Sequence, residues 1–247
     1  MDLVKTVKEK PPVIDRSSWR AEQPAYGILL VNKPAGITTF DIIRRIKRHR
    51  RRIKAGHAGT LDPFATGLVL LAIGRATRTI QHLQALTKVY EGTIRLGAVT
   101  PSLDPDTPVE RTAPVPALSL EQAQQIADTF QGTVMQMPPI YSALKVGGKR
   151  AYDLARQGKT PELKPRPVRI DRFVIKDIQL PEVAFRLECG KGTYARAVAR
   201  DFAEKAGTLG HLTTLVRTAI GPYSIEQAFS LTELENLLRT HPHFLKT

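Results

Sequence analysis

One acid stands in a stretch of the chain that is otherwise uncharged and rich in glycine. Asp62 is the single Asp, Glu, Lys or Arg of segment 56–74, whose glycines permit backbone angles that other residues resist. The apolar run 68–73 that follows is short enough to be a buried strand. A carboxylate in a polar turn that enters a rigid strand is well placed to act as a nucleophile or a general base. The alternative is an Asp-Pro turn without a chemical role.

Hydrophobic periodicity predicts the elements that must position this acid. Strands are predicted at 26–32, 68–73, 89–96 and 216–220, and as a hairpin around Pro181. Helices are predicted after the capping residues Thr38 or Thr39, Ser119 and Ser230. In the first helix, the spacing of three places Phe40, Ile43 and Ile46 on one buried face. Because strands and helices are interspersed without regular alternation, the pattern predicts an α+β fold around a mixed sheet.

Two segments depart from this pattern. Residues 1–25 are polar, carry prolines and show no periodicity, so they predict a flexible N-terminal arm. Residues 138–167 have prolines at both ends and a Gly-Gly pair in the middle. A segment of that length with so little periodicity predicts an inserted arm, because long insertions in compact domains are usually functional.

The chain is strongly basic, and the charge is concentrated. The formal net charge is +14. Residues 44–54 hold eight Lys or Arg and no acid, and residues 138–167 hold seven Lys or Arg and two acids. A surface that only keeps a protein in solution mixes its signs, so two basic blocks indicate a polyanionic partner. Nucleic acid is the first candidate and an acidic membrane surface the second.

Composition and missing motifs bound the class of protein. The 247 residues, 42% of them hydrophobic, suffice for one large domain or two lobes. The single cysteine, Cys189, excludes an intramolecular disulfide, and no apolar run approaches the ~20 residues of a spanning helix. The charged N-terminus is unlike a secretory signal, so we expect a soluble cytoplasmic protein. Phosphate-loop, dinucleotide, zinc-deaminase and esterase motifs are missing, which predicts chemistry without a metal or cofactor.

Several motifs follow one another in a fixed order between residue 26 and about residue 220. They are Lys33-Pro34-x-Gly36-x-Thr38, Gly56-His57-x-Gly59-Thr60-Leu61-Asp62-Pro63-x-Ala65-Thr66-Gly67, Lys88-x-Tyr90 with Arg95-Leu96-Gly97, Pro138-Pro139-x-Tyr141-Ser142-Ala143-Leu144-Lys145-x-x-Gly148-Lys149-Arg150-Ala151-Tyr152, and Gly192-Thr193-Tyr194-x-Arg196. Together they resemble the TruB family of tRNA pseudouridine synthases. Ala58, where many relatives have threonine, and Ser102-Leu103, within a loop that is commonly more acidic, depart from the pattern without touching the expected chemistry.

The resemblance implies an activity, a fold and a partner. The activity is conversion of a uridine in the T-loop of tRNA, at position 55, to pseudouridine. The fold is the α+β pseudouridine synthase fold, a curved mixed and largely antiparallel sheet with flanking helices. The catalytic domain is expected at 26–230, with an RNA-gripping insertion at about 138–167. A C-terminal helix and tail at 231–247 are expected in place of the complete RNA-binding PUA domain of many bacterial relatives. The T-arm of tRNA is the expected partner, bound by a monomer without a cofactor.

The resemblance also assigns site residues. Asp62 is implied to be catalytic, with Tyr90 as the active-site tyrosine and Arg196 as the ionic partner of Asp62. The substrate-binding positions that it implies are His57, Tyr194, Leu215, Lys33, Lys145, Lys149 and Arg150. A carboxylate beside C1′ of the flipped-out uridine can attack C1′, stabilise positive charge there, or take a proton from C2′, and the sequence does not choose among these.

Each assignment has an ordinary structural alternative. Tyr90 and Leu215 fit a hydrophobic core, Arg196 fits a helix surface, and His57 fits a turn in which it bonds to backbone. Two other functions also remain open. One is a pseudouridine synthase that acts on ribosomal RNA or is directed by a guide RNA, and the other is a non-catalytic RNA-binding protein.

Overall fold

The computed structural model describes residues 10–142, 144–159 and 161–246. The chain divides into two compact units, of which unit 1 comprises residues 1–84 and 222–247 and unit 2 comprises residues 85–221. The C-terminal helix therefore belongs to the same unit as the first third of the chain. This division differs from the predicted single catalytic domain at 26–230.

Helices and strands are numbered separately in chain order. The α-helices are α1 (Thr39–His49), α2 (Ile80–Ala85), α3 (Leu120–Asp128), α4 (Ala151–Arg156), α5 (Ala195–Lys205) and α6 (Leu231–Thr240). The strands are β1 (Val13–Ile14), β2 (Gly27–Lys33), β3 (Ala55–His57), β4 (Thr66–Ile73), β5 (Lys88–Leu96), β6 (Ala98–Val99), β7 (Arg111–Thr112), β8 (Gly132–Gln136), β9 (Lys145–Val146), β10 (Lys149–Arg150), β11 (Arg166–Gln179), β12 (Glu182–Cys189), β13 (Gly210–Ile220), β14 (Tyr223–Ser224) and β15 (Phe229–Ser230). Short 3-10 turns occupy Gly74–Thr79 and Ile225–Gln227. In the described ranges, no helix combines the length and the apolar character needed to cross a membrane.

Strand β4 lies at the centre of unit 1. It pairs antiparallel with β2 and with β3, while β1 and β15 pair parallel with β2. Every residue from Leu68 to Ile73 is fully buried, as the unbroken apolar run predicts. The predicted buried strand is thus confirmed, and it gives the preceding loop a rigid base.

Helix α1 begins with a capping box, in which Thr38 is the N-cap and Asp41 bonds back to the Thr38 backbone. Its buried face is formed by Ile42, Ile43 and Ile46. Phe40 is 53% exposed, so its predicted place on that face is wrong. The face is centred on residues 39, 42, 43 and 46, and position 40 is turned away from its centre.

The N-terminal segment is ordered against the rest of unit 1 from residue 10 onward. Ile14 in β1 is fully buried beside β2. The Trp19 ring contacts the His241 and Phe244 rings edge to face, with centroids 5.2 and 6.0 Å apart. The predicted flexible arm is therefore wrong for residues 10–25, since a two-residue strand is too short to show a period. The rest of that prediction, residues 1–9, falls outside the described residues.

Unit 2 is built on an antiparallel sheet with the strand order β13-β5-β12-β11-β8. Helix α3 packs against β11 and α5 against β13. Rings of Phe130, Phe185 and Phe202 each meet the Phe173 ring edge to face, at 5.7 to 5.8 Å between centroids. The hairpin predicted around Pro181 is β11–β12, and β13 begins at Gly210, six residues before the predicted strand. The largely antiparallel α+β architecture is confirmed.

The predicted arm at 138–167 has local structure of its own. Strands β9 and β10 form a hairpin that turns at Gly147-Gly148, and α4 follows directly. Both turn glycines have positive φ, 57° and 82°, as a two-residue hairpin turn requires. Ala143 and Thr160 fall outside the described residues.

Candidate active site

Asp62 lies in the loop that joins β3 to β4, as predicted. Its side chain is partly buried, and its carbonyl accepts the N–H of Ala65 at 3.2 Å. Two glycines shape this segment, Gly59 within the loop with a φ of 137° and Gly67, the second residue of β4, with a φ of 114°. Other residues would be strained at these angles, so the loop depends on glycine at both positions. Asp62 stands four residues before β4, whose residues from Gly67 onward are buried, so its loop ends on a stiff support.

Lys33 fixes this loop from within unit 1. Its ammonium group donates to the carbonyls of Pro34 and Ile37, both at 2.9 Å, and of Pro63 at 3.1 Å. The Gly36 N–H donates to the same Pro63 carbonyl at 2.9 Å. Lys33 is fully buried, so its prediction as a substrate-binding residue is wrong. Its charge holds the backbone next to Asp62 instead.

His57, at the end of β3, pairs with Leu71 of β4 and is partly buried. His57 therefore directly precedes the loop that contains Asp62. Its predicted contact with the substrate stays a prediction. In the described part of the chain, His, Cys, Asp and Glu form no group of three that could hold a metal ion.

Tyr90 and Leu215 share one face of the unit 2 sheet. Tyr90 stands opposite Arg217 of β13, and Leu215 stands opposite Gly92 of β5. Because directly opposed residues point to the same side, Tyr90 and Leu215 are diagonal neighbours on that face. Tyr90 is partly buried, and Leu215 is 5% exposed. The structure thus brings these two predicted residues together, with the tyrosine the more accessible of them.

Tyr194 and Arg196 lie at the start of α5. The Tyr194 N–H donates to the side-chain oxygen of Gln136 at 2.9 Å, and the Gln136 amide donates to the Tyr194 carbonyl at 3.2 Å. The Arg166 guanidinium lies 5.0 Å from the centre of the Tyr194 ring. A partly buried ring with a cation on its face is a surface on which an unstacked base can lie. Gln136 and Arg166 join the predicted residues here.

The Arg196 side chain is buried and forms an ion pair with Asp104. Its Nη1 lies 3.1 Å from Oδ2 of Asp104 and donates to the Ser102 carbonyl at 2.8 Å, and its Nη2 donates to the Tyr141 carbonyl at 3.0 Å. Arg196 is 4% exposed and Asp104 is 2% exposed. Burial raises the pKa of Asp104, and the Ser102 hydroxyl and the Arg196 charge oppose that rise without cancelling it. The surface-charge alternative for Arg196 is therefore wrong.

No sequence motif assigned a partner role to Asp104, which lies in a tight loop of the structure. The Thr100 hydroxyl donates to the Asp104 carbonyl at 2.7 Å and accepts its N–H at 3.0 Å. The Ser102 hydroxyl donates to the Asp104 carboxylate, and Leu103 between them has a φ of 62°. A non-glycine residue at that angle marks backbone strain. The one signal in the sequence was a pair of acids within a proline-rich loop.

The structure leaves two of the predicted site features as predictions. The pairing of Arg196 with Asp62 joins residues of the two units and stays a prediction. Lys145, Lys149 and Arg150 lie on the β9–β10 hairpin, where the structure describes their backbone but not their side chains.

The chain is similar to known proteins of one family along most of its length. The model for the N-terminal domain of TruB family pseudouridylate synthases matches residues 44–195. Two relatives named tRNA pseudouridine synthase B are each 43% identical to the chain. The relative from Gluconacetobacter diazotrophicus matches over 86% of this chain and 69% of its own length. The relative from Bacteroides fragilis matches over 81% of this chain and 88% of its own length.

A solved structure shows the same fold. The crystal structure of a Cbf5-Nop10-Gar1 complex contains a chain that is 25% identical, with a TM-score of 0.68 over 90% of this chain. The match covers 58% of that chain, so the present chain spans little more than half its length. The likeness confirms the fold that the sequence motifs implied.

Proposed function

Because the chain belongs to the TruB family of pseudouridylate synthases, we propose that it converts one uridine of tRNA, at position 55 in the T-loop, to pseudouridine. The observation that carries the proposal is the place of Asp62, at the entrance of the buried strand β4 and within the motif Gly-Thr-Leu-Asp-Pro. The relatives named tRNA pseudouridine synthase B, at 43% identity, support tRNA as the substrate. A uridine within a folded loop has to be flipped out to reach a side chain.

The proposed reaction is an isomerisation that keeps every atom of the base. The N1–C1′ bond breaks, the base turns, and C5 forms a new bond to C1′. The proton that leaves C5 is balanced by the one that N1 gains. Asp62 is proposed to act on the ribose, by attack on C1′, by stabilising positive charge there, or by removing a proton from C2′. Tyr90 supplies a flat ring for the unstacked base and a hydroxyl that can carry the C5 proton.

Tyr90→Phe separates the two proposed roles of this residue. The variant keeps the ring, so we expect tRNA affinity to stay within a few-fold of wild type. If the hydroxyl carries a proton, the single-turnover rate should fall on the order of 10²-fold or more. Tyr90→Leu removes the ring as well and is the matched comparison. A Phe variant with near-normal rate would leave stacking as the whole role of Tyr90.

Exposed cations on α1 and the following turn form what we call the basic helix surface, and we propose that it contacts tRNA phosphates. Its members are Arg44, Lys47, Arg48, Arg51, Arg52 and Lys54. Arg44 also forms an ion pair with Asp41 on the same helix. Two further arginines of the same block have structural partners elsewhere in unit 1. Arg45 lies 3.1 Å from Glu235 of α6, and Arg50 donates to the Leu238, His241 and Phe244 carbonyls at 3.2, 2.7 and 2.7 Å.

Replacing Arg51 and Arg52 with alanine should weaken tRNA binding and flatten its salt dependence. Each phosphate contact that is lost lowers the slope of log affinity against log salt by about 0.7–0.9. Arg50→Ala is the matched control, because its guanidinium satisfies carbonyls at the end of α6 and its loss should lower stability rather than the slope. Binding isotherms at several salt concentrations measure the slope. An unchanged slope in the double variant would show that these two residues face away from RNA phosphates.

The arm at 138–167 is the second proposed RNA contact. Its net charge of +5 and its β9–β10 hairpin support a role in gripping RNA. Lys145, Lys149 and Arg150 remain the proposed contacts of this arm.

Mapping of pseudouridine in an unmodified tRNA transcript tests the proposed function. The purified protein alone should convert position 55 in the wild-type transcript, and it should leave a transcript with cytidine at position 55 unmodified. An isolated T-arm hairpin tests whether that arm suffices. Conversion of ribosomal RNA alone, or conversion that requires a guide RNA, would replace tRNA as the substrate. Tight binding without conversion would favour the non-catalytic alternative.

A further inference from the structure

One buried hydroxyl ties the start of α1 to the residue before Asp62. Thr39 is 1% exposed, and its Oγ1 accepts the N–H of Leu61 at 2.9 Å and donates to the Leu61 carbonyl at 3.2 Å. Both polar backbone groups of Leu61 therefore meet the same oxygen, 22 residues away along the chain. The Leu61 side chain is itself 3% exposed.

This contact and the Lys33 contact hold the loop on the two sides of Asp62. Thr39 fixes Leu61, while the Lys33 ammonium and the Gly36 N–H both meet the Pro63 carbonyl. With both neighbours fixed, the backbone of Asp62 has little freedom to move, and its carboxylate leaves the loop from a defined point.

Thr39 can serve as an anchor because α1 is itself well fixed. The capping box of Thr38 and Asp41 begins the helix, and three isoleucines bury its inner face. Thr39 lies on that same buried side. Its hydroxyl therefore belongs to a helix that is packed into the core of unit 1.

We propose that Thr39 is a positioning residue for the reaction, which acts through the backbone of Leu61 to place the Asp62 carboxylate. The inference rests on the proposed function of Asp62. It assigns to Thr39 a role in the rate of the chemical step, beyond its share in stability. A displacement of about 1 Å at a reacting group can cost on the order of 10²-fold in rate, so loss of the anchor should appear in turnover.

Two substitutions separate the hydroxyl from the shape of the side chain. Thr39→Val keeps the shape and removes the hydroxyl, whereas Thr39→Ser keeps the hydroxyl and removes a methyl group. We expect Thr39→Val to slow single-turnover pseudouridine formation by about 10- to 100-fold, with the tRNA Kd within about threefold of wild type. Thr39→Ser should recover most of the rate.

A matched control is available in unit 2. Thr208 is 6% exposed, and its hydroxyl donates to the Pro114 carbonyl at 2.7 Å. Thr208→Val removes a comparable buried contact, so it should lower the melting temperature without slowing single turnover. All rates are measured well below the melting temperature of each variant. Hydrogen exchange of the Leu61 amide is a second readout and should accelerate in Thr39→Val but not in Thr39→Ser.

The outcomes distinguish this inference from the proposed function. A slow Thr39→Val with near-normal tRNA affinity, rescued by serine and accompanied by faster Leu61 exchange, supports the inference. A Thr39→Val variant that loses only stability and turns over within about twofold of wild type overturns it, as does a Thr39→Ser as slow as the valine variant. Failure of the proposed function would appear in the wild-type protein itself, as no pseudouridine in tRNA.

Discussion

Asp62→Asn is expected to slow pseudouridine formation by at least about 10⁴-fold and to leave tRNA affinity within about threefold of wild type. Asn is nearly isosteric with Asp and fits the same loop between β3 and β4. The substitution removes the charge that could attack or stabilise C1′, and an amide is not a useful base. Affinity should survive because phosphate contacts elsewhere on the protein dominate it. A small gain is also compatible, since one negative charge near RNA is lost.

The control for this variant is Asp177→Asn, which removes an exposed carboxylate from the end of β11. It changes the net charge by the same amount and should leave the rate unchanged. Single-turnover conversion and tRNA binding are measured at one fixed salt concentration. If Asp62→Asn lost affinity and activity together, Asp62 would be a structural residue of the turn. If it converted uridine near the wild-type rate, its catalytic assignment would be wrong.

Arg196→Lys is expected to slow turnover by about 10²- to 10³-fold while the protein stays folded. Lysine keeps a positive charge beside Asp104, but one ammonium group cannot reproduce a planar fork that reaches Asp104 and the Ser102 and Tyr141 carbonyls together. The measurement is single turnover with tRNA, alongside thermal unfolding. A lysine variant with wild-type rate would show that only the charge of Arg196 matters.

Arg196→Met tests the buried ion pair itself. Asp104 would then be buried without its counter-charge, and we expect a loss of about 3–5 kcal/mol in the free energy of unfolding. Burial already raises the pKa of Asp104, and removal of the arginine should raise it further in the folded state. The folded protein then binds more protons than the unfolded chain, so the stability of this variant should fall as pH rises from the unfolded pKa of Asp through the higher folded pKa.

The double variant Arg196→Met, Asp104→Asn removes the unpaired carboxylate together with the arginine. Removal of the unpaired carboxylate should restore part of the lost stability and abolish the extra pH dependence. Urea unfolding at two pH values, near 5 and near 7, measures both effects. A double variant less stable than Arg196→Met, with the same pH dependence, would contradict the account of Asp104.

Local sequence patterns predicted the parts of the fold that depend on neighbouring residues. The capping residues before α3 and α6 were identified from the sequence, because a capping box is complete within four residues. For α1 the sequence left Thr38 and Thr39 open, and the structure has Thr38 as the N-cap. The apolar run of β4 and the hairpin β11–β12 were also predicted, because each is a pattern within a short continuous segment. The place of Asp62 between β3 and β4 followed from the glycines and the apolar run around it.

Contacts between distant segments could not be predicted in this way. Asp104 and Arg196 are joined only by the fold, and no local pattern relates them. Lys33 was implied by the resemblance to bind the substrate, and Arg50 belongs to the basic block 44–54 that indicated a polyanionic partner. Both instead donate to backbone carbonyls within unit 1. Packing of residues 10–25 depends on partners such as His241 and Phe244, at the other end of the chain.

Release of the C5 hydrogen tests the central claim most directly. A tRNA that carries tritium at C5 of the uridine at position 55 is incubated with excess protein, and tritium in the solvent is counted over time. Because C5 must lose this hydrogen when it bonds to C1′, the wild-type protein should release the label in step with pseudouridine formation, and Asp62→Asn should release none above background. Release by Asp62→Asn at the wild-type rate, or retention of the label by the wild-type protein, would contradict the account.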